Sequence, residues 1–285
     1  MPMLYPFGYG VCVYITYGVG SVLLVLLITG LPEPEVAGRE NSSLRFFYAA
    51  KIQEPSTKRT MADNDFSQPS SSPIVGIKSR ERVQQHGEVF TSPREVNAML
   101  DLVKHETERI DSRFLEPACG DGNFLAEILR RKLAVCRAYV EQQKNTQLEY
   151  EKNIILAVSS IYGIELLADN AQTCRERLLH IAEAEYRALF PDTAKAECLE
   201  SIRFLLSKNI IHGNALTYHR VDEPSKWIVI SEWSPLAGGM MNRRDYEFSY
   251  MVGDTAEHDL FSDQPCQTFP PVHFLALNAR SYGNM

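Results

Sequence analysis

The residues with the clearest chemical meaning form the stretch EPACGDGNFL, from Glu116 to Leu125. A short apolar segment precedes it and apolar residues at helical spacing follow it, so we expect a strand that turns sharply into a helix. Gly120 and Gly122 would let the backbone approach a ligand where a side chain would collide, and the amide groups of the turn could face an anionic group. The stretch predicts a small-molecule binding turn, although a tight turn without a ligand is the alternative.

The spacing of the glycines argues against a nicotinamide or flavin dinucleotide. The fingerprint for those cofactors requires a third glycine three residues after Gly122, and Leu125 occupies that position. We therefore expect a different ligand.

Two later segments also place a polar residue where a strand is expected to end. Glu165 closes the stretch YGIE and offers a carboxylate that can accept hydrogen bonds from a ligand, or it merely starts the following helix. Asn214 lies in HGNAL and offers an amide oxygen as an acceptor. In nucleotide-binding α/β folds, about twenty residues usually separate the glycine turn from the acidic residue that ends the next strand. Here about 45 residues separate the glycine turn from Glu165, so we expect a longer helix or an inserted helix between them.

A fourth segment, GEVFTSP, lies upstream and contains an aromatic residue, Phe90, followed by Thr91 and, after an extra Ser92, by Pro93. Together and in this order, the four segments resemble the adenine-specific DNA methyltransferases of restriction-modification systems. The resemblance extends from about Ser79 to Ser231.

This resemblance implies S-adenosylmethionine as the cofactor and a Rossmann-like fold. The methionine moiety would lie at the aromatic-Thr-Pro segment and the glycine turn, the ribose at Glu165 and the adenine amino group at Asn214. The residues that the resemblance assigns to cofactor binding are Phe90, Thr91, Glu116, Pro117, Ala118, Gly120, Gly122, Asn123, Glu165 and Asn214.

The catalytic element of the family should follow the next strand as Asn, Asp or Ser, then two prolines and an aromatic residue. Here the apolar run WIVI leads into Ser231, Glu232, Trp233 and Ser234, so both prolines are missing. Ser231 could accept weakly from the amino group of a flipped adenine and Trp233 could stack on its ring, or the segment is an ordinary loop.

DNA is the partner that the resemblance implies, and a separate specificity or restriction subunit would supply sequence recognition, since only about fifty residues follow the proposed catalytic strand. The chain itself carries a net charge of -7, which argues against a broad phosphate-binding surface. Solvated surface charge is the favoured interpretation of several basic residues that are also candidates for phosphate contacts, namely Lys78, Arg80, Arg82, Arg94, Arg243 and Arg244.

Apolar runs that alternate with helical patterns predict an α/β fold with a mostly parallel sheet and helices on both faces. We assign residues 79–285 to this methyltransferase-like domain, irregular from about residue 235, and residues 61–78 to a flexible leader. The six cysteines and seven histidines are dispersed, so we expect neither a metal site nor disulfides.

Residues 1–60 form an apolar N-terminal extension. Residues 9–31 lack charged side chains and are long enough for a membrane-spanning helix, and the basic residues after them would leave the body on the cytoplasmic side. The alternative is that the start was assigned too early and that the native chain begins at Met61. Both interpretations predict a cytoplasmic body.

Three functions are compatible with these patterns. The first is an adenine-directed DNA methyltransferase that acts as the modification subunit of a restriction-modification system. The second is a degenerate relative that binds the cofactor and serves as a regulatory or assembly subunit. The third is a methyltransferase that acts on protein or on a small molecule.

Overall fold

A computed structural model describes residues 91–142, 146–249 and 264–278, and the backbone alone of residues 12–17 and 21–28. Phe90 and the leader at 61–78 lie outside the described residues. The helices of this part of the chain are α1 (Pro93–Asp101), α2 (Lys104–Thr107), α3 (Asn123–Glu141), α4 (Gln147–Ser159), α5 (Ala168–Leu189) and α6 (Ala196–Asn209). Its strands are β1 (Cys12–Tyr17), β2 (Ser21–Ile28), β3 (Arg113–Glu116), β4 (Ile161–Glu165), β5 (Ile210–Asn214), β6 (His219–Arg220), β7 (Val229–Leu236), β8 (Met240–Glu247) and β9 (Gln267–His273).

The main sheet has the strand order β1-β2-β3-β4-β5-β6. Within the described residues its parallel pairings are β3 with β4 and β4 with β5, whereas β2 and β6 join antiparallel. The fold is therefore mixed α/β with a parallel centre. The expectation of a mostly parallel sheet was wrong, because a hairpin extends one side of this centre and a short returning strand extends the other.

The backbone of residues 12–17 and 21–28 forms strands, within the segment 9–31 that was one candidate for a membrane-spanning helix. β1 pairs with β2, and β2 pairs with β3 through Leu26 and Leu115. No helix in the described part of the chain combines the length and apolarity needed to cross a bilayer.

The start of α1 explains the extra residue in the Thr-Ser-Pro segment. Ser92 caps the helix, because its hydroxyl accepts the Glu95 amide at 3.3 Å while the Glu95 carboxylate accepts the Ser92 amide at 3.1 Å. Pro93 occupies the first turn, where its missing N–H costs no hydrogen bond. The departure from the family pattern thus serves to begin a helix.

The long interval before Glu165 contains an inserted helix, as its length predicted. α3 continues to Glu141 and α4 follows from Gln147, with Thr146 as its cap. β4 then begins at Ile161, so the apolar run at 154–165 is shared between the end of a helix and a strand.

A second sheet contains β7, β8 and β9 in that order, all antiparallel. The expectation of irregular structure from about residue 235 was wrong for this part, because the two prolines of FPPVHF, Pro270 and Pro271, lie in the edge strand β9, which tolerates them. Phe274 and Leu277, which follow β9, are buried in the core.

Lys132 on α3 stabilises the edge of the main sheet where β3 and β4 begin. Its side chain is fully buried and donates to the Ile110 carbonyl at 3.0 Å, to the Ser160 hydroxyl at 2.6 Å and to the Ser112 carbonyl. Burial lowers the pKa of Lys132 to about 7. The ammonium group therefore ties the residues before β3 to the residue before β4.

Replacing Lys132 with methionine should lower the free energy of unfolding by about 2–3 kcal/mol, because the Ser112 carbonyl loses its donor in a buried place. The unfolded chain, with a lysine pKa of about 10.4, binds more protons than the folded chain between about pH 7 and 10. Wild-type stability should therefore rise relative to Lys132→Met across that window, as measured by urea unfolding. A difference that does not change with pH would contradict a buried, depressed lysine.

Candidate functional site

Three polar residues end the parallel strands at one edge of the sheet. Glu116 ends β3, Glu165 ends β4 and Asn214 ends β5. The register steps along this edge, since Glu116 pairs opposite Gly163 and Glu165 pairs opposite His212. The carboxyl edge of a parallel sheet is where ligands commonly bind in α/β proteins.

The glycine turn connects this edge to α3, and at two of its positions the backbone adopts a conformation that favours glycine. Gly120 has a φ of 54° and Gly122 a φ of 86°, both in the left-handed region. The Cys119 amide donates to the Ile164 carbonyl at 3.1 Å, and the Gly122 amide donates to the Cys119 carbonyl at 2.8 Å. These bonds hold the turn against β4.

The two glycines have different surroundings. A Cβ at Gly122 would lie 2.6 Å from the Cys174 Sγ on α5, whereas a Cβ at Gly120 would meet no atom within 4 Å. Gly122 therefore allows the turn to pack on α5, and Gly120 leaves open space beside the backbone.

Glu165 joins two of the segments that the sequence analysis selected. Its Oε2 accepts the Gly120 amide at 2.8 Å, and its Oε1 accepts the Leu167 amide at 2.9 Å. The carboxylate is buried, so both bonds are shielded from water. The structure thus brings Gly120 and Glu165 into direct contact across 45 residues of sequence.

Glu116 is the acidic residue at this edge whose carboxyl group has the fewest interactions that would stabilise its negative charge. It is 4% exposed, and its Oε2 has no hydrogen-bond partner among the described residues. Burial raises the pKa of Glu116 well above its ordinary value, and the neighbouring Cys174, Glu165 and Asp121 raise it further. A buried acceptor without a donor is unfavourable unless the carboxyl is neutral or a ligand supplies the donor.

Arg177, which the sequence analysis missed, fixes the far side of the turn. From α5 it donates to the Asp121 carboxylate at 3.0 Å and to the Asn123 side-chain oxygen at 2.7 Å. No local pattern distinguishes it from Arg175, which instead donates to the Ile210 carbonyl at 2.6 Å. The sequence offered one indication of this role, which is that the carboxylate of Asp121 in the turn requires a nearby cation.

The remaining residues assigned to the cofactor have simpler environments. Asn214 is half-buried, and its side-chain oxygen accepts the Leu216 amide at 2.9 Å. Pro117 is half-buried and Ala118 is exposed in the turn. Thr91 is half-buried directly before the α1 cap.

The structure separates Ser231 and Trp233 from this site. Both lie inside β7, not in a loop after a strand, and both are buried. The Trp233 Nε1 donates to the Asn209 Oδ1 at 2.9 Å, and the ring packs edge-on against Phe204. Asn209 precedes β5, so this contact lies at the opposite end of the strand from Asn214. A buried ring offers no free face to a flipped base, and we therefore do not retain these residues as catalytic.

Arg243 is likewise a core residue and not a phosphate contact or a solvated charge. It is 5% exposed, its guanidinium donates twice to Asp245 at 2.8 and 2.7 Å, and it lies 4.1 Å from the Phe269 ring centroid. Arg94 is exposed. Lys78, Arg80 and Arg82 lie outside the described residues.

Comparison with protein families finds a match to the model of the MmeI DNA-methyltransferase domain over residues 91–226. This segment is therefore similar to a DNA-methyltransferase domain of the restriction-modification type. No curated protein and no solved structure matched the chain.

The limits of the methyltransferase segment agree with the geometry of the site. The match begins at Thr91, contains the glycine turn, Glu165 and Asn214, and ends before β7. Ser231 and Trp233 therefore lie outside the matched segment as well as away from the edge where the polar residues converge. Within the described residues, no group of three or more His, Cys, Asp or Glu side chains is arranged to hold a metal ion.

Proposed function

We propose that the methyltransferase segment binds S-adenosylmethionine at the carboxyl edge of β3, β4 and β5, in a Rossmann-like arrangement with α3 and α5. The observation that carries the proposal is the convergence of Glu116, the glycine turn and Glu165 at that edge. The unpaired Glu116 oxygen fits a cationic amino group, and the space beside Gly120 fits a ligand that approaches the backbone closely.

Glu116, Gly120 and Gly122 would hold the methionine moiety, Glu165 the ribose and Asn214 the adenine. Pro117, Ala118 and Asn123 would complete the turn, and Phe90 and Thr91 would lie before α1. When bound, S-adenosylmethionine supplies an electrophilic methyl group. The residues of this chain would bind and orient it, which is the main requirement for transfer.

The substrate that we propose is adenine in DNA, and the protein would act as a modification subunit with a separate specificity or restriction subunit. The similarity of residues 91–226 to the MmeI DNA-methyltransferase domain supports DNA as the substrate. The assignment to adenine rests on the order of the segments, with the aromatic-Thr-Pro segment before the glycine turn.

A second candidate function is cofactor binding without transfer, as a regulatory or assembly subunit. The burial of Ser231 and Trp233 favours it, because these residues follow Asn214 in sequence where the family pattern calls for a catalytic element, yet they are buried away from the edge that holds Glu165. Both candidates require the same cofactor site and differ only in whether a methyl group leaves the bound cofactor.

Calorimetry with the full chain tests the shared premise. We expect S-adenosylmethionine to release heat on binding, and Glu165→Ala to weaken binding because the Gly120 amide loses its acceptor. Glu185→Ala is the matched control, since Glu185 is an α5 carboxylate paired with Arg137 at 2.7 Å. Absence of binding by the wild type would reject both candidates.

A tritiated-methyl assay distinguishes them. The full chain, with and without the proteins encoded beside its gene, is incubated with unmethylated A·T-only and G·C-only duplexes. Incorporation confined to the A·T duplex supports the adenine methyltransferase. Binding of the cofactor without incorporation under either condition supports the regulatory subunit, and incorporation into G·C alone would reject adenine as the target.

A further inference from the structure

Acidic groups outnumber cations at the glycine turn within the described part of the chain. Glu116, Asp121 and Glu165 approach the turn from β3, from the turn itself and from β4. The other titratable groups that face Glu116 are thiols, Cys174 on α5 and Cys119 in the turn. Arg177 supplies positive charge to the turn through its contact with Asp121.

Two of the three carboxyl groups already have donors. Asp121 receives the Arg177 guanidinium at 3.0 Å, and Glu165 receives two backbone amides at 2.8 and 2.9 Å. Glu116 differs, because it is buried and its Oε2 lacks a partner among the described residues. An ionised carboxylate in this position would be uncompensated beside two other acids, so the neutral acid is the favoured form in the empty site.

A positively charged ligand reverses this preference, since an opposite charge close to a carboxyl group favours its ionised form. S-adenosylmethionine and its demethylated by-product, S-adenosylhomocysteine, both carry the ammonium that would face Glu116, and only S-adenosylmethionine carries a sulfonium. An ionised Glu116 beside Glu165 and Asp121 would therefore favour S-adenosylmethionine through the attraction of the acidic cluster for the sulfonium charge, which needs no direct contact.

We infer that Glu116 is a specificity-determining residue that is a neutral acid in the empty site and loses its proton to solvent when the cationic cofactor binds. The O–H bond of the Glu116 carboxyl breaks, the proton passes to the buffer, and the carboxylate remains opposite the ligand cation. This inference rests on the proposed binding of S-adenosylmethionine at the same site. It adds a proton release and a preference for the methylated cofactor over its by-product.

Calorimetry of the full chain in buffers of different ionisation enthalpy measures the proton directly. At about pH 6.5, where the amino group of the ligand is already protonated, the observed enthalpy should vary with the buffer enthalpy in proportion to about one proton released. Glu116→Gln should abolish this dependence and weaken S-adenosylmethionine binding about 10- to 100-fold, since a charge-assisted hydrogen bond is lost. Asp121→Asn, which alters a carboxyl that already has a cation, should retain the release.

A competition arm tests the selectivity. Wild type should prefer S-adenosylmethionine to S-adenosylhomocysteine, and Glu116→Gln should reduce that preference about tenfold, because the variant removes a negative charge that attracts the sulfonium. A preference that does not change in the variant would overturn the specificity role.

A stability arm is independent of binding. Glutamine resembles the neutral acid in shape and charge, so Glu116→Gln should unfold at the same denaturant concentration as wild type near neutral pH, or at a higher one. A marked loss of stability would mean that Glu116 is ionised in the empty site and would overturn the inference. Wild-type binding without proton release would also overturn it while the proposed function stands, whereas absence of binding rejects the function itself.

Discussion

Alanine at Gly122 is expected to destabilise the protein and to abolish cofactor binding together. Its Cβ would lie 2.6 Å from the Cys174 Sγ, a distance that neither atom tolerates, so the turn or α5 must shift. The φ of 86° adds about 1–2 kcal/mol for any residue with a Cβ. We expect a total loss of about 2–4 kcal/mol in the free energy of unfolding.

Gly120→Ala is the matched control, because Gly120 also has a positive φ but faces open space. It should lose only about 1–2 kcal/mol of stability. Its methyl group would nevertheless enter the space that we assign to the ligand. Urea unfolding and S-adenosylmethionine calorimetry on both variants should therefore show a large loss of stability only for Gly122→Ala and a loss of binding for both.

Removal of the clashing atom provides a rescue. In Gly122→Ala combined with Cys174→Ala, the nearest remaining atom of residue 174 is its Cβ at 3.4 Å, an ordinary contact. The double variant should regain most of the stability that the clash costs, relative to the Cys174→Ala single variant. If Gly122→Ala is as stable as Gly120→Ala, the turn does not pack on α5 through these atoms.

The arrangement of the polar residues at the carboxyl edge of the sheet could be predicted from sequence because its signals are local. The EPACGDGNFL stretch contains its own strand end, turn and helix start, and the length of the interval before Glu165 indicated α4. The hydrogen bond between Glu165 and Gly120 then follows from parallel pairing of β3 and β4. Each of these inferences needs only the order of elements along the chain.

The extension of β7 beyond the predicted strand WIVI could not be anticipated, because the burial of its polar residues depends on partners far away in sequence. Ser231, Glu232 and Trp233 are consecutive and all buried, so the strand lacks the alternation that reveals a half-buried strand. Glu232 is compensated by Arg113 at 3.3 Å and by the Tyr246 hydroxyl at 3.2 Å. From sequence alone, a polar segment of this kind is predicted to be a loop, because the residues that pair with its buried polar side chains are distant in the chain.

The interpretation of Arg243 as an exposed charge was wrong for a similar reason, because the groups that stabilise its buried charge are not apparent from the local sequence. As part of an Arg-Arg pair after two glycines it has the sequence signature of an exposed basic turn. Its partner Asp245 is two residues away on the same strand, and Phe269 on β9 covers the guanidinium. The pairing of β8 with β9 across residues 250–263 carries no local signal.

Removal of the Trp233 side chain is expected to have the largest effect on stability. The role of Trp233 also indicates whether the segment after β5 stabilises the fold or takes part in catalysis. Trp233→Ala is expected to lose about 3–5 kcal/mol, because the ring is 2% exposed and packs on Phe204. The Asn209 side chain, which also donates to the Ser159 and Ile161 carbonyls, would lose the indole donor to its oxygen.

Trp233→Phe and Ser231→Ala are the conservative variants to compare with Trp233→Ala, since each retains most of the side-chain packing. Trp233→Phe should lose about 1–3 kcal/mol by leaving the Asn209 oxygen without the indole N–H. Ser231→Ala should change stability by less than about 1 kcal/mol, because the Ser231 group that binds Tyr162 is its backbone carbonyl, at 3.0 Å. Unfolding in urea gives these values.

Cofactor affinity and methyl transfer then distinguish the two roles. Five residues of extended chain separate Asn209 from Asn214, roughly 16 Å, so a change at Trp233 should leave S-adenosylmethionine affinity unchanged in the folded variants. If wild type transfers methyl groups, Ser231→Ala and Trp233→Phe should do so within about twofold of its rate at a temperature where all are folded. A large loss of transfer with intact stability and affinity would instead place these side chains at the reacting base, and β7 would then have to open to admit it.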